Sequence, residues 1–184
     1  MIIVDEKYLI KQLADSVTQR NAFGIVVKQY SESLYWQIRR IVFNHDDAND
    51  VLQNTFIKAW NNLDSFRNDS KLSTWLYRIA INESLDFVRK QKIEISIERD
   101  SDTTKSVSET LMADNYFDGN LIQAQLMQAV SELPEAQRTV FNMRYFDGMK
   151  YSEISKVLST SEGALKASYH IAVQKISKFF QSID

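Results

Sequence analysis

The sequence contains no cysteine, only one proline and only four glycines among 184 residues. The lack of cysteine excludes a disulfide framework, a thiolate zinc site and a cysteine nucleophile. Because proline and glycine are so rare, the many turns of a β protein are disfavoured and long helices are favoured. Hydrophobic residues make up 44% of the chain and aromatic residues 11%. That content is enough to build real cores, so extensive disorder is not expected.

No long apolar run is present either. The N-terminus, MIIVDEKYLIKQLADS, has no cationic stretch ahead of an apolar one, and charges interrupt every later apolar segment. The sequence therefore predicts no signal peptide, no membrane insertion and a cytoplasmic location. The length suits one ordinary domain or two small ones.

Charge is distributed unevenly along the chain. The net charge of −2 argues by itself against nucleic-acid binding. However, residues 93–120 hold seven acidic residues against Arg99 and Lys105, and the rest of the chain has a small positive excess. This Ser-, Thr- and Asp-rich segment is interpreted as an acidic linker, flexible at least in part. Its first residues, IEISI, alternate as a short strand does, although no partner strand is evident.

Helical periodicity covers the chain on both sides of this segment, which predicts an all-α protein of two small helical domains, residues 1–92 and 121–184. The stretch NHDDAND is interpreted as a turn before the third helix, with its acids placed to favour the helix start. Pro134 is expected to open a helix. The predicted helices are two within residues 5–42, then Ala48–Leu63, Ser73–Lys92, Leu121–Leu133, one after Pro134, Tyr151–Leu158 and Glu162–Phe180.

The last two predicted helices, separated by the tripeptide STS, have the spacing of a helix-turn-helix. Ser161 is a favourable N-cap, which leaves the first backbone amides of the second helix free to meet a phosphate. On this pattern alone, a helical hairpin with a solvated cationic face is favoured over DNA binding. The residues expected to face inward are Leu165, Tyr169, Ala172, Val173 and Ile176, and those expected on the exposed face are Lys166, Ala167, His170, Gln174 and Lys175.

A second unusual stretch is FRNDSKLSTWLYRIAIN, which crowds aromatic, cationic and amide side chains where a polar loop enters a helix. Aromatic rings stack on unstacked bases, amides bond to base edges and cations hold phosphates. Phe66 and Asn82 could flank a cavity for one flat group, beside a polar stripe of Arg78, Asn82, Asp86 and Arg89. The alternative is that Trp75 and Tyr77 are core residues and the cations are ordinary surface.

No constellation of residues indicates catalysis, a cofactor or a metal. The acids Asp46, Asp47 and Asp50 are explained by helix capping. His45 and His170 lie far apart in sequence, and neither has a metal-ligand partner four residues on. No glycine-rich phosphate cradle is present.

Two long blocks resemble a known family. DANDVLQNTFIKAWNNLDSFRNDSKLSTWLYRIAINESLDFVRK resembles region 2 of bacterial RNA polymerase sigma factors of the extracytoplasmic-function (ECF) group, in the sigma-70 family. LPEAQRTVFNMRYFDGMKYSEISKVLSTSEGALKASYHIAVQKI resembles their region 4. With the helices before each, the blocks cover about four-fifths of the chain, in the family's order and with an acidic linker between them.

The resemblance implies a factor that binds core RNA polymerase and directs promoter-specific initiation, reading the −10 element with region 2 and the −35 element with region 4. The helix matching residues 47–61 would dock on the clamp helices of the largest polymerase subunit, and the flap would be a further contact. The family's usual acid after the glutamine is Asn54 here. The implied polymerase-binding residues are Asp47, Asp50, Gln53, Asn54, Phe56, Ile57 and Ala59.

In region 2, the loop from Phe66 and the helix after it match the element that captures a flipped base and begins melting. The implied −10 residues are Phe66, Asn68, Ser70, Lys71, Thr74, Trp75 and Asn82, with Arg78, Arg89 and Lys90 as backbone contacts. In region 4, the implied −35 residues are Ser161, Glu162, Lys166, Ala167, Ser168, His170 and Lys175.

The region 4 match departs from the family at four positions. Many members have arginines at the positions of Ser168 and Ile171, an alanine at Ser155 and a glycine at Ser159. Because this helix has no arginine, the commonest bidentate guanine reader is missing. We therefore expect a different, more A/T-rich upstream preference.

The resemblance also implies partners: core polymerase, promoter DNA and an anti-sigma factor. The acidic linker would thread the polymerase cleft and mimic RNA, although a solvating spacer explains its composition almost as well.

Other functions remain open. A stand-alone helix-turn-helix regulator would be a dimer that binds a palindromic operator. A helical protein-interaction module would show no promoter preference. An enzyme has the least support.

Overall fold

A computed structural model describes residues 4–66, 70–97, 106–114 and 119–183. This part of the chain is built from helices and contains no strand, which confirms the predicted all-α class. The helices are α1 (Glu6–Leu13), α2 (Gln19–Val42), α3 (His45–Asn61), α4 (Leu72–Ile97), α5 (Val107–Met112), α6 (Leu121–Ser131), α7 (Glu135–Phe141), α8 (Tyr151–Leu158) and α9 (Glu162–Ile183).

The start of α3 corrects one prediction. Asn44 caps the helix, and its side chain accepts a hydrogen bond from the Asp47 amide at 3.0 Å. The acidic stretch predicted as a turn is therefore mostly the first part of α3. Asp46 and Asp47 lie in that first turn, where carboxylates interact favourably with the helix dipole.

The segment predicted as a linker is partly helical. The stretch IEISI, considered above as a strand, forms the last part of α4, where a helix satisfies its own backbone without a partner strand. Within the same segment lies α5, which has a reciprocal capping box between Ser106 and Glu109. Leu111 of α5 is buried, and the Ser108 amide donates to the Gln128 side chain of α6 at 3.1 Å.

Helices α1–α4 form the N-terminal domain around one apolar core. Leu9, Leu34, Leu72 and Leu76 are fully buried in it, as the periodicity of each helix requires. The carboxylate of Glu6 in α1 accepts a hydrogen bond from the Leu72 amide at 2.5 Å. This contact ties the first helix to the start of α4.

Helices α5–α9 form the C-terminal domain. Pro134 is the N-cap of α7 rather than its first residue, and α7 runs into a π-helical turn, Asn142–Phe146. Gly148 follows with a φ of 63°, a conformation that glycine adopts without steric cost. The core between α6, α7 and α9 contains Val130, Phe141, Ala172 and Ile176.

The two domains pack against each other through α4 and α2. Ile81 of α4, 2% exposed, belongs to a cluster with Val140, Ile154 and Val157 of the C-terminal domain. Periodicity within either domain does not predict such a shared core.

Candidate nucleic-acid and polymerase interfaces

Helix α9 presents the polar face that its sequence predicts. Its N-cap Ser161 accepts a hydrogen bond from the Ala164 amide at 3.3 Å, so the N-terminal end of the helix points outward as an anion-binding end. Val173, predicted to face inward, is 38% exposed; the inward face is narrower than predicted. The exposed residues on this polar face are Glu162, Lys166, Ala167, His170, Gln174 and Lys175, while Ser168 is half-buried.

The turn before α9 is tight because Ser159 adopts the left-handed conformation, with a φ of 52°. This conformation reverses the chain directly after α8 and places α9 across it. The Lys166 ammonium lies 5.7 Å from the centre of the Tyr151 ring. The helix-turn-helix geometry predicted from the spacing is therefore present.

Two aromatic rings pack against each other at the start of α4. The Phe66 and Trp75 rings are 5.2 Å apart and tilted by 44°, and both side chains are half-buried against the N-terminal core. Thr74 is only 7% exposed, so it supports the helix from inside. Asn68 lies outside the described residues. Ser70, half-buried, and the exposed Lys71 directly precede α4.

The polar stripe of α4 faces the C-terminal domain over part of its length. The Arg78 guanidinium donates to the carbonyl oxygens of Lys156 and Val157, the latter at 3.1 Å. Arg89 donates to both carboxylate oxygens of Glu135, at 3.1 and 2.5 Å. Asn82 and Lys90 are exposed. Asn82 lies seven residues after Trp75, about 10 Å further along the helix axis.

An open groove of about 910 Å³ runs between α2 and α3. Four of the predicted polymerase-binding residues line it: Asp50, Gln53, Phe56 and Ile57. Ile57 is 51% exposed, whereas Phe56 is 8% exposed. The exposed Asn54 lies on the same helix. Ala59 is fully buried, so it permits close helix packing and offers no surface to a partner.

Asp47 lies in the first turn of α3 and is partly buried. Burial raises the pKa of its carboxyl, and the charges of Asp50 and Asp46 raise it further, whereas a hydrogen bond from Gln91 lowers it. Of these three acids at the start of α3, Asp50 lines the groove.

Sequence reasoning missed the α2 side of this groove. Phe23, Gly24 and Val27 line it from α2, and Trp60 closes it from α3. Trp60 is 40% exposed and its ring packs 5.0 Å from that of Phe23. One signal was available: a glycine in the middle of a helix costs stability, which points to a packing or functional reason.

Two further features are absent from the described part of the chain. No group of His, Cys, Asp or Glu side chains there could hold a metal ion. None of the helices described is long and apolar enough to cross a membrane.

Two profiles match this sequence: sigma-70 region 2 at residues 26–93 and sigma-70 region 4 at residues 123–176. The RNA polymerase sigma-H factor of Pseudomonas aeruginosa is 32% identical, covering 94% of each chain. The ECF RNA polymerase sigma factor SigW of Bacillus subtilis is 30% identical, covering 94% of this chain and 95% of its own.

The fold is also found in solved structures. CnrH, in a complex with the cytosolic domain of CnrY, superposes with a TM-score of 0.72 at 24% identity and covers 97% of this chain and 99% of its own. RpoE, in a complex with the anti-sigma factor NepR from Bartonella quintana, superposes with a TM-score of 0.66 at 23% identity, covering 86% and 96%. These two structures share the fold, and the profile matches with the near full-length relatives show that the chain belongs to the ECF group of the sigma-70 family, the factors that direct RNA polymerase to promoters and initiate transcription there.

Proposed function

We propose that each step of promoter recognition falls on a separate surface of this chain. The α2–α3 groove holds core polymerase, the entrance and polar stripe of α4 hold the opened −10 element, and α9 reads the −35 element. The observation that carries the proposal is the exposed cation-bearing face of α9, set behind a helix start capped by Ser161. Such a helix places side chains in a major groove and its amides near a phosphate.

At the −10 element, the Phe66–Trp75 pair supplies the aromatic surface. One unstacked base would stack there, and Asn82 would bond to a base edge further along α4. Lys71, Arg78, Arg89 and Lys90 would contact the backbone, as would Ser70. Binding energy offsets the unstacking cost of about a few kcal/mol per base.

Polymerase would dock on α3 through Asp50, Gln53 and Ile57, with an apolar side chain of the clamp seated in the groove beside Phe56. The C-terminal domain would contact the flap. The solved structure of RpoE is a complex with the anti-sigma factor NepR, and that of CnrH is a complex with the cytosolic domain of CnrY. We propose that an anti-sigma factor also binds and restrains this protein. It would act in the cytoplasm, where its polymerase works, and contribute no catalytic step of its own.

In-vitro transcription tests the proposal. Core polymerase of the source organism is incubated with a fragmented genomic library, with and without the protein. We expect new, specific start sites that are lost with Phe66→Ala plus Asn82→Ala and kept with Tyr8→Ala, an exposed aromatic of α1. Specific DNA retention without polymerase, and no new transcripts, would favour a stand-alone regulator instead.

A further inference from the structure

Glu83 of α4 lies on a stripe that is otherwise apolar. Ile79, one turn before it, and Phe87, one turn after it, are partly buried against the N-terminal core. The Glu83 side chain is itself only 14% exposed. A carboxylate so far withdrawn from water is costly unless a cation or a hydrogen bond stabilises it. The position of Glu83 therefore requires a partner from a neighbouring element.

That partner is Lys58 of α3. Its ammonium donates a hydrogen bond to the Glu83 carboxylate at 2.5 Å, and its side chain is 55% exposed. The residues three and four positions from Lys58 on either side are uncharged. Acids at those positions would compete for the ammonium within the same helix. Lys58 is therefore available to pair across to α4.

The pair lies next to small residues in the contact between α3 and α4. Ala59, next to Lys58, and Ala80, three residues before Glu83, are both fully buried in the N-terminal core. Methyl side chains allow two helices to approach closely, but they interlock less than long side chains do. Among the described residues, Ala80 is also the last residue of α4 that is buried in this core. The ion pair is thus placed to fix α4 against α3 just beyond that contact.

The two helices joined by this pair carry different proposed interfaces. On α3, Lys58 directly follows Ile57, one of the proposed polymerase contacts. On α4, Glu83 directly follows the exposed Asn82, which is proposed to bond to a base edge. Once polymerase holds α3, the offset between the two helices decides where the Asn82 amide meets the DNA.

We propose that the Lys58–Glu83 pair positions Asn82 for base recognition in the −10 element. The two charged residues act through the placement of α4 and are positioning residues rather than contacts to DNA or polymerase. A side-chain amide bonds to a base edge only within about 2.7–3.2 Å, so a small shift of α4 weakens this contact first. The inference rests on the proposed roles of α3 and α4.

The test measures base preference during transcription by core polymerase. A promoter recovered in the genomic-library experiment is randomised across its −10 element. Asn82→Ala identifies the position that Asn82 reads, because the preference there becomes flat. Lys58→Met and Glu83→Gln are then compared at that position, singly and together. Two controls accompany them: Lys58→Arg keeps the charge, and Lys11→Met removes an exposed lysine of α1.

We expect each single variant to reduce discrimination at that position about two- to fivefold, the range of a partly exposed ion pair. The double variant should match the single variants, because residues that act as one unit are not additive. Lys58→Arg and Lys11→Met should keep the preference. Preferences at the other −10 positions should not change, and neither should affinity for core polymerase, measured by competition with a labelled sigma factor.

Four results would overturn the inference. An equal loss of transcription from every −10 sequence would show that the pair only stabilises the domain. Unchanged preference in all pair variants would show that core packing alone places α4. A loss with Lys58→Met but not with Glu83→Gln would mean that Lys58 contacts DNA or merely neutralises Glu83. Additive losses in the double variant would indicate two independent contacts.

The Asn82→Ala variant separates failure of this inference from failure of the proposed function. If that variant changes no base preference, the proposed base contact fails and the inference fails with it. If Asn82→Ala flattens one position while any of the four results above is obtained, the base contact stands and only the positioning role of Lys58 and Glu83 is lost.

Discussion

Ser159 is a residue whose backbone conformation, rather than its side chain, matters for stability. It ends α8 with a φ of 52° and is exposed, in a conformation that costs an L-residue about 1 kcal/mol and glycine almost nothing. We expect Ser159→Gly to raise the melting temperature by about 2–4 °C, measured by circular dichroism. Ser155→Gly, inside the same helix, should lower it. Equal effects from the two changes would show that the turn is not strained.

The buried side chain of Asp147 makes stability depend on pH. One of its carboxylate oxygens pairs with Arg40 at 2.5 Å, and the other has no partner among the described residues. Burial raises the pKa of this carboxyl above its ordinary 3.8, although the Arg40 charge opposes the shift. The folded protein therefore binds more protons than the unfolded chain just above pH 3.8. Its free energy of unfolding falls as the pH rises through that window.

Asp147→Asn removes this titration and leaves the other carboxyls unchanged. We expect the variant to lose less stability than the unchanged protein as the pH rises from about 4 upward, measured by urea unfolding at a series of pH values. If the free energy of unfolding changes with pH in parallel for the two proteins, the Asp147 carboxylate is not buried as the structure shows.

At the scale of one element, α9 should set the upstream base preference. It contains no arginine, and its positions 168 and 171 are half-buried and 41% exposed respectively. We expect Ser168→Arg with Ile171→Arg to enrich guanine about fivefold or more, since a bidentate contact discriminates by about 1–3 kcal/mol. Transcription from a library randomised upstream of a fixed −10 element measures this.

The matched control is Ser168→Lys with Ile171→Lys. Lysine adds the same charge without the planar fork that reads guanine. The unchanged protein should select A/T-rich sequence. Identical base preferences for the arginine and lysine variants would reject a bidentate reading by this helix.

Helix α2 should contribute to polymerase binding through the space above Gly24. A Cβ atom there would meet no described heavy atom within 4 Å outside its own stretch of helix, and Gly24 lines the groove. We expect Gly24→Leu to stabilise the helix by roughly 0.5–1 kcal/mol yet weaken binding to core polymerase, measured by competition with a labelled sigma factor. Gly24→Ala should stabilise the fold with little effect on binding; weakening by both would point to a change in α2 itself.

For the whole molecule, the domain contact should respond to salt. Among the described residues, four ion pairs join the N-terminal domain to the C-terminal domain: Arg39–Asp114, Arg40–Asp147, Lys71–Glu153 and Arg89–Glu135. The screening length falls from about 10 Å at 0.1 M to about 3 Å at 1 M. Small-angle scattering should therefore give a radius of gyration of about 16 Å at low salt and a larger value in about 1 M NaCl.

The Glu135→Gln, Glu153→Gln variant should expand at a lower salt concentration than the unchanged protein. A radius that stays constant from about 0.1 to 1 M salt in both proteins would show that apolar burial of Ile81 and its neighbours alone holds the domains together.

The helices and the polar face of α9 were predictable from the sequence, because helical periodicity and capping are local. Tyr151–Leu158 forms α8 with the predicted ends, and Ser161 caps α9. Secondary-structure prediction was less certain where a local pattern is compatible with both a strand and a helix. IEISI alternates like a strand yet continues α4, since a helix needs no distant partner for its backbone.

Which of the predicted site residues are available to a partner depends on how the helices and domains pack. Ala59 and Thr74 are buried, although their sequence positions match functional ones, and the α2 wall of the groove exists only once α2 and α3 pack. Arg78 reaches carbonyls 78 and 79 residues away, a contact between surfaces that periodicity cannot describe. Docking of one domain on another depends on the fit of whole faces, which is why the covered state of α4 is visible only in three dimensions.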